Sequence, residues 1–246
     1  ALACYDVAVA LGTPFISGKD SLNNEFRPEG GKPISIPPSL LISAMGQVAD
    51  VSHCVTMDLK WPGNYVYLLG LTRDELGGSH FAQIHGLSGG QVPRVDAQQA
   101  RGLFSSLHLA IGAGLVRACH DLSEGGLAVA AAEMALAGRA GLRLSLSQVP
   151  HDLAGPTTAA LLFSESNTRF LVEVAPEHGQ AFEHAVSQWP HALVGEVIAE
   201  PRLEILDLPR PTAYVENGLD EMPAVPAIEA GLDALREAWQ KPLDWH

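Results

Sequence analysis

Residues 115–138, LVRACHDLSEGGLAVAAAEMALAG, constrain the fold more than any other stretch. A short apolar run, LVRAC, reads as a buried strand. A Gly-Gly pair follows, and then a helix rich in alanine that ends at Gly138. A strand that feeds a helix start in this way needs a sheet with helices packed on it.

The rest of the chain supplies more of both elements. YVYLLGLT is a strand by its aromatic and β-branched content. DAQQARGLFSSLHLAIGAG is a helix that Asp96 can cap; Leu103, Leu107, Ile111 and Leu115 recur every four residues. LRLSLSQV and TRFLVEVAP read as strands, and EHGQAFEHAVSQW as a third helix. ALVGEVIAEPRLEIL reads as a hairpin or strand pair. Strands and helices alternate only partly. The expected class is therefore α+β, a mixed sheet with helices packed on it, rather than a doubly wound parallel sheet.

Upstream, residues 1–12 read as a helix closed by Gly12, TPFIS as a short strand and SLLISAMGQV as a buried strand. A composition break at DLKWPGN places a domain boundary near residue 60. Three segments are expected: 1–60, 61–208, and a proline-rich extension, 209–246. The extension ends in a short amphipathic helix with Leu232, Leu235 and Trp239 on one face.

A formal net charge of -13 argues against nucleic acid or an anionic membrane as the main partner. It does not exclude a phosphate ligand, which a local group of backbone N–H donors can bind. No run of about 18 apolar residues suggests a membrane span. Cys4, Cys54 and Cys119 are too few and too scattered for a disulfide framework or zinc site. They read as small buried side chains in a reduced, cytoplasmic setting. The first residues carry no basic region of the signal-peptide kind and read as the middle of a helix, as though the chain began inside a domain.

Two places carry chemistry. The LVRAC strand delivers His120 and Asp121 to its end, and Ser123 stands where a helix N-cap belongs. Gly125 and Gly126 let another group approach the backbone, where the helix dipole favours an anion. A lone Asp121 there is a reasonable part of a Mg²⁺ site that also uses phosphate oxygens and water. Plain capping by Asp121 and Ser123, with the glycines serving close packing, accounts for the same residues. His120 reads as structural, because strand neighbours point to opposite faces. The second place is FISGKDSLNNEF, where Gly18, Lys19 and Ser21 follow a strand. Walker A spacing fails there, and a polar surface loop explains it as well. No G-x-S-x-G elbow is present.

Five stretches occur in order: GTPFISGKDSLNNEF, PPSLLISAMGQVADV, GNYVYLLGLTRDELGGSHF, CHDLSEGGLAVAAAEMALAG and LFSESNTRFLVEV. Together they resemble the C-terminal part of the phosphoribosylformylglycinamidine (FGAM) synthase family, over nearly all of residues 1–208. HDLSEGG recurs across the wider AIR synthetase-related superfamily, whereas ELGGS, LFSES and the SGKDS loop point to FGAM synthases. The resemblance implies an AIR synthetase-like two-domain unit: the end of an ATP-binding-type domain and a complete C-terminal-type domain.

It also implies the reaction. ATP phosphorylates the amide oxygen of formylglycinamide ribonucleotide (FGAR), ammonia displaces the phosphate, and a glutaminase supplies the ammonia. By resemblance, Asp121 is a Mg²⁺ ligand, Ser123, Gly18 and Lys19 contact ATP or ADP, and Ser21 contacts substrate. Family members often carry Asn where this chain has Lys19, and an ammonium cannot ligate Mg²⁺. No catalytic residue is expected in this stretch, since the family's catalytic histidine belongs to an upstream half. The chain is thus expected to be inactive alone and to pair with that half or with a second copy. A structural role, holding nucleotide without turnover, and another ATP-dependent AIR synthetase-type enzyme are the competing expectations.

Overall fold

The computed structural model describes residues 1–19, 24–208 and 226–243. The chain divides into two compact units, residues 1–52 and 53–246.

In the first unit, helix α1 spans Leu2–Leu11. Gly12 ends it in the left-handed conformation (φ 74°), its N–H donating to the carbonyls of Ala8 and Val9, as a glycine C-cap should. Strands β1 (Glu25–Phe26) and β2 (Ile34–Ser35) pair antiparallel. The two strands expected at TPFIS and SLLISAMGQV do not form. Leu40, Leu41, Met45 and Val48 are exposed, and Ala10 is the unit's one buried hydrophobic residue among those described. An apolar run becomes a strand only where another strand accepts its backbone groups. Among the described residues of this unit, β1 and β2 make the only ladder, and they pair with each other.

The second unit is built on a seven-stranded mixed sheet. Its strands are β3 (Tyr65–Leu69), β4 (Ala118–Asp121), β5 (Gly141–Ser145), β6 (Phe170–Val174), β7 (His191–Ile198), β8 (Arg202–Leu206) and β9 (Pro226–Gly231). They lie in the order β4-β6-β3-β7-β5-β8-β9. Neighbours are antiparallel except β5 and β8, which are parallel. The helices are α2 (His80–Ile84), α3 (Ala97–Gly112), α4 (Gly126–Gly138), α5 (Thr158–Phe163), α6 (Gly179–Val186) and α7 (Leu232–Gln240). This is the α+β class expected. One detail differs: β7 and β8 are not a hairpin, because β5 lies between them and pairs with both.

Strand alternation builds a core on each face of the sheet. Val66 and Leu68 of β3 join Leu127, Ala131 and Met134 of α4, with Leu142, Leu144 and Leu161. Tyr67 and Leu69 point the other way, to Leu103 and Leu107 of α3 and to Phe182 and Val186 of α6. Helix α3 begins at the expected cap: Asp96 accepts from the N–H groups of Gln98 (3.1 Å) and Gln99 (3.0 Å). Leu59 belongs to the α4-side core, and the segment that follows it is held by Glu173. That fully buried carboxylate accepts from the N–H groups of Lys60 (2.8 Å) and Trp61 (3.2 Å) and from the Asn64 amide (2.5 Å). Three donors are what a buried carboxylate requires. Leu232 of α7 is buried and Leu235 packs against the same core, while Trp239 is exposed.

Candidate functional site

Strand β4 pairs with β6 so that His120 faces Leu171 and Asp121 faces Phe170. The chain leaves the sheet at Leu122, whose N–H donates to the Arg169 carbonyl (3.0 Å) and whose side chain is buried. Asp121, the last strand residue, carries an exposed carboxylate. Its Oδ2 accepts the Ser123 hydroxyl (2.9 Å). Strand neighbours should diverge, yet His120 and Asp121 meet, with Nδ1 3.5 Å from Oδ1. At the strand's end the exposed aspartate is free to turn back. The other ring nitrogen, Nε2, lies 2.8 Å from Glu133 Oε2 of α4. His120 is thus held between two carboxylates.

Ser123 is not the cap of α4. Gly125 occupies the N-cap position and no side chain caps the helix. Nor do the glycines open a space. Both are buried and left-handed, Gly125 at φ 80° and Gly126 at φ 62°. A Cβ on Gly126 would lie 2.5 Å from the Ser164 carbonyl oxygen. The segment after α5 fills the place that an approaching ligand was expected to take. Close packing is what Gly126 serves, and the backbone turn that glycines alone adopt easily is what makes it feasible.

The anion at this helix start comes from the chain itself. Glu165 Oε1 accepts from the N–H of Gly125 (2.9 Å) and from the N–H of His80 (3.0 Å), the first residue of α2. One carboxylate oxygen therefore joins two helix starts, as the dipoles of both favour. Glu75 stands behind it: its carbonyl accepts the Glu165 N–H (3.3 Å), and its N–H donates to Ser164 Oγ (3.4 Å). Its Oε1 accepts from the Arg94 N–H (3.0 Å), and its Oε2 is buried without a hydrogen-bond partner. Arg169, also buried, donates to the Ser166 carbonyl (2.9 Å), to Thr72 Oγ1 (3.0 Å) and to the Ser164 carbonyl. Burial pushes its guanidinium down to about 10, against the pull of the Glu75 charge. The three signature stretches ELGGS, HDLSEGG and LFSES thus meet in one network. Glu165, Glu75, Arg169 and Glu133 were not singled out from the sequence. The signal was present in ELGGS and LFSES, where a carboxylate sits among glycines and serines.

The other expected residues lie elsewhere. Gly18 and Lys19 are exposed, in the first unit and outside its regular elements. A Cβ on Gly18 would meet nothing within 4 Å. Ser21 lies outside the described residues. Of the three cysteines expected to be buried, Cys54 is exposed and Cys4 and Cys119 are half-buried. Burial, with the Asp121 charge adding to it, pushes the Cys119 thiol up to about 12, which favours the protonated form. Among the described residues, no three His, Cys, Asp or Glu side chains cluster as a metal site. No helix among them is long and apolar enough to cross a membrane. The exposed Asp121 carboxylate still fits Mg²⁺ as one hard oxygen ligand, since Mg²⁺ takes one or two carboxylates and completes its shell with phosphate and water.

Comparison with known proteins bears on this geometry. The family described as AIR synthase related protein, C-terminal domain, matches residues 62–207. Phosphoribosylformylglycinamidine synthase subunit PurL of Deinococcus radiodurans is 34% identical over 244 residues, covering 97% of this chain and 30% of its own length. The PurL subunit of Alkaliphilus metalliredigens is 38% identical over 192 residues, covering 76% of this chain and 24% of its own. The chain thus spans about 30% or less of the length of these curated relatives. Among solved structures, Thermotoga maritima PurL complexed with FGAR superposes with a TM-score of 0.61 at 21% identity, over 75% of this chain and 30% of that one. The same protein complexed with ATP gives 0.57 at 22% identity, over 75% and 27%. These superpositions show a shared fold.

Proposed function

Because the chain belongs to the AIR synthase related family, matched through that family's C-terminal domain, we propose that it serves as the C-terminal part of a cytoplasmic FGAM synthase. The reaction is the ATP-dependent conversion of FGAR and ammonia to FGAM, ADP and phosphate. The ammonia comes from glutamine through a glutaminase partner, as the family resemblance implies. The observation that carries this reading is the meeting of ELGGS, HDLSEGG and LFSES around Glu165. It holds the loop after β4 so that Asp121 stays exposed beside Ser123.

In this reading Asp121 is the chain's ligand to Mg²⁺, and Ser123 meets the nucleotide. By resemblance alone, Gly18 and Lys19 are read as nucleotide contacts and Ser21 as a substrate contact. Bound Mg²⁺ supplies charge neutralisation at the phosphates, which is the main demand of phosphoryl transfer. The residues shown here hold and orient. Ser123 fixes one Asp121 oxygen, His120 stands against the other, and Glu133 holds His120 from behind. None of them is placed to attack a substrate. Turnover accordingly requires the upstream half, and the isolated chain forms no FGAM.

Calorimetric titration of the chain with Mg-ADP and Mg-ATP, beside an Asp121→Asn variant, tests the reading. Binding that the substitution weakens about ten-fold or more supports it, as loss of a charged ligand to the metal would. Equal binding by both proteins removes Asp121 from the site. FGAM formation by the chain alone would overturn its dependence on the upstream half.

A further inference from the structure

A small cleft of mixed polar and apolar lining lies at the same end of the sheet as Asp121. Gly70 and Leu71 form one wall just beyond β3, and Asn167 and Thr168 form another just before β6. The first turns of α3 and the Trp189–Pro190 corner close it, and Arg73 and Arg94 are among the residues that line it. Its volume is about 50 Å³. Asp121, Ser123 and Glu165 do not line it.

Its walls are fixed. Thr168 sits at φ 63°, one of two non-glycine residues with positive φ among those described. Such conformations cost free energy and persist only where the surroundings impose them. Here the surroundings are close: a Cβ on Gly70 would lie 2.2 Å from the Thr168 carbonyl oxygen, and the Gly70 N–H donates to the Pro190 carbonyl (2.8 Å). Behind Thr168, the buried Arg169 guanidinium ties down residues 164 and 166.

The charges in the cleft are unequally engaged. Its one carboxylate, Asp96, already accepts from the N–H groups of Gln98 and Gln99 and from the Gln99 side-chain amide (3.0 Å). Arg94 makes no ion pair among the described residues. Arg73 approaches Asp152 (3.3 Å), but both side chains are substantially exposed, and such a pair is weak. A chain with a net charge of -13 repels free anions in general. Two arginines on the lining of one small cleft therefore act locally against that repulsion.

We propose that this cleft is an oxyanion site for one phosphate group, held by Arg73 and Arg94 with the Asn167 amide beside them. Guanidinium groups match the oxygens of phosphate in pairs, and the cleft is too small for a nucleotide. The site is independent of the nucleotide reading at Asp121. The ligand is either free phosphate or the phosphate of a monoester whose body stays outside.

The test titrates the full chain with inorganic phosphate, and separately with phenyl phosphate, at constant ionic strength, by calorimetry. One-to-one saturable binding is expected. Arg94→Gln should weaken it about ten-fold, as loss of a charge-assisted hydrogen bond does, whereas Asp121→Asn should leave it unchanged. Arg94→Lys, which keeps the charge but not the fork, should fall between. Tighter binding of phenyl phosphate identifies a monoester ligand, and binding of inorganic phosphate alone identifies the free ion. No saturable binding of either probe, equal binding by wild type and Arg94→Gln, or loss of binding in Asp121→Asn overturns the proposal.

Discussion

Single residues in this molecule do work that their positions in sequence conceal. Glu165 satisfies two backbone donors at once, from Gly125 and His80. Glu165→Ala should cost about 2 kcal/mol of stability, since each N–H loses its acceptor and one of them is partly buried. Urea denaturation of the two proteins reads this directly. Unchanged stability would mean that water replaces the carboxylate without loss. Cys119 offers a test by pH. Its folded value, about 12, stands above the thiol's ordinary 9.0, so the folded state favours the protonated form. The stability this contributes is fully present below pH 9 and is lost as pH rises from 9 towards 12. The slope is at most about 1.4 kcal/mol per pH unit, the value for one proton. Cys119→Ala should flatten that part of the stability–pH curve. Alkylation of the folded chain at pH 8, mapped by mass spectrometry, should label the exposed Cys54 and spare Cys119.

At the scale of elements, glycines distinguish packing from mere turning. Gly114 and Gly126 are both left-handed, but a Cβ on Gly114 would meet nothing within 4 Å. Gly114→Ala should therefore cost about 1–2 kcal/mol, the penalty of the backbone conformation alone. Gly126→Ala adds a contact with the Ser164 and Leu162 carbonyl oxygens and should cost about 1–3 kcal/mol more, measured by the same denaturant curves. The same contrast explains what was legible. Helix α3 announced itself through a cap and a period, and α4 through its alanine run ending at Gly138, all local signals. The pattern in the second unit also revealed β3, β5 and β6, whose apolar residues find partners. The strand at β4 was expected over LVRAC, but its ladder runs on through His120 and Asp121, because pairing with β6 decides where it ends. Strand β9, PAIEAG, hides behind proline, glycine and glutamate, as an edge strand can. SLLISAMGQV misled in the opposite direction: its apolar run encodes burial, and no ladder partner stands among the described residues of its unit. The site was legible as motifs but not as a network, because Glu165, Glu75 and Arg169 meet Gly125 and His80 only through the fold.

For the whole molecule, the two units differ in what could hold them together. The second has a core on each face of a continuous sheet, and two of the three buried charges among its described residues, Glu173 and Arg169, are fully engaged by hydrogen bonds within the unit itself, whereas Glu75 keeps one oxygen unpartnered. In the first, Ala10 alone is buried among the described hydrophobic residues, while Phe15, Ile16, Leu41 and Met45 are exposed. Burial of apolar area is the main favourable term in folding, so the second unit carries the stability. A chain of residues 53–246 should therefore fold alone and unfold in one cooperative transition, followed by circular dichroism on heating. Its midpoint should match that of the full chain to within about 4 °C, the shift that corresponds to less than about 1–2 kcal/mol for a domain of this size. Limited proteolysis of the full chain should cut first within residues 1–52 and leave the remainder intact, because protease reaches segments that little burial protects. A truncated chain that fails to fold, or a midpoint far below that of the full chain, would show that residues 1–52 stabilise the sheet unit substantially.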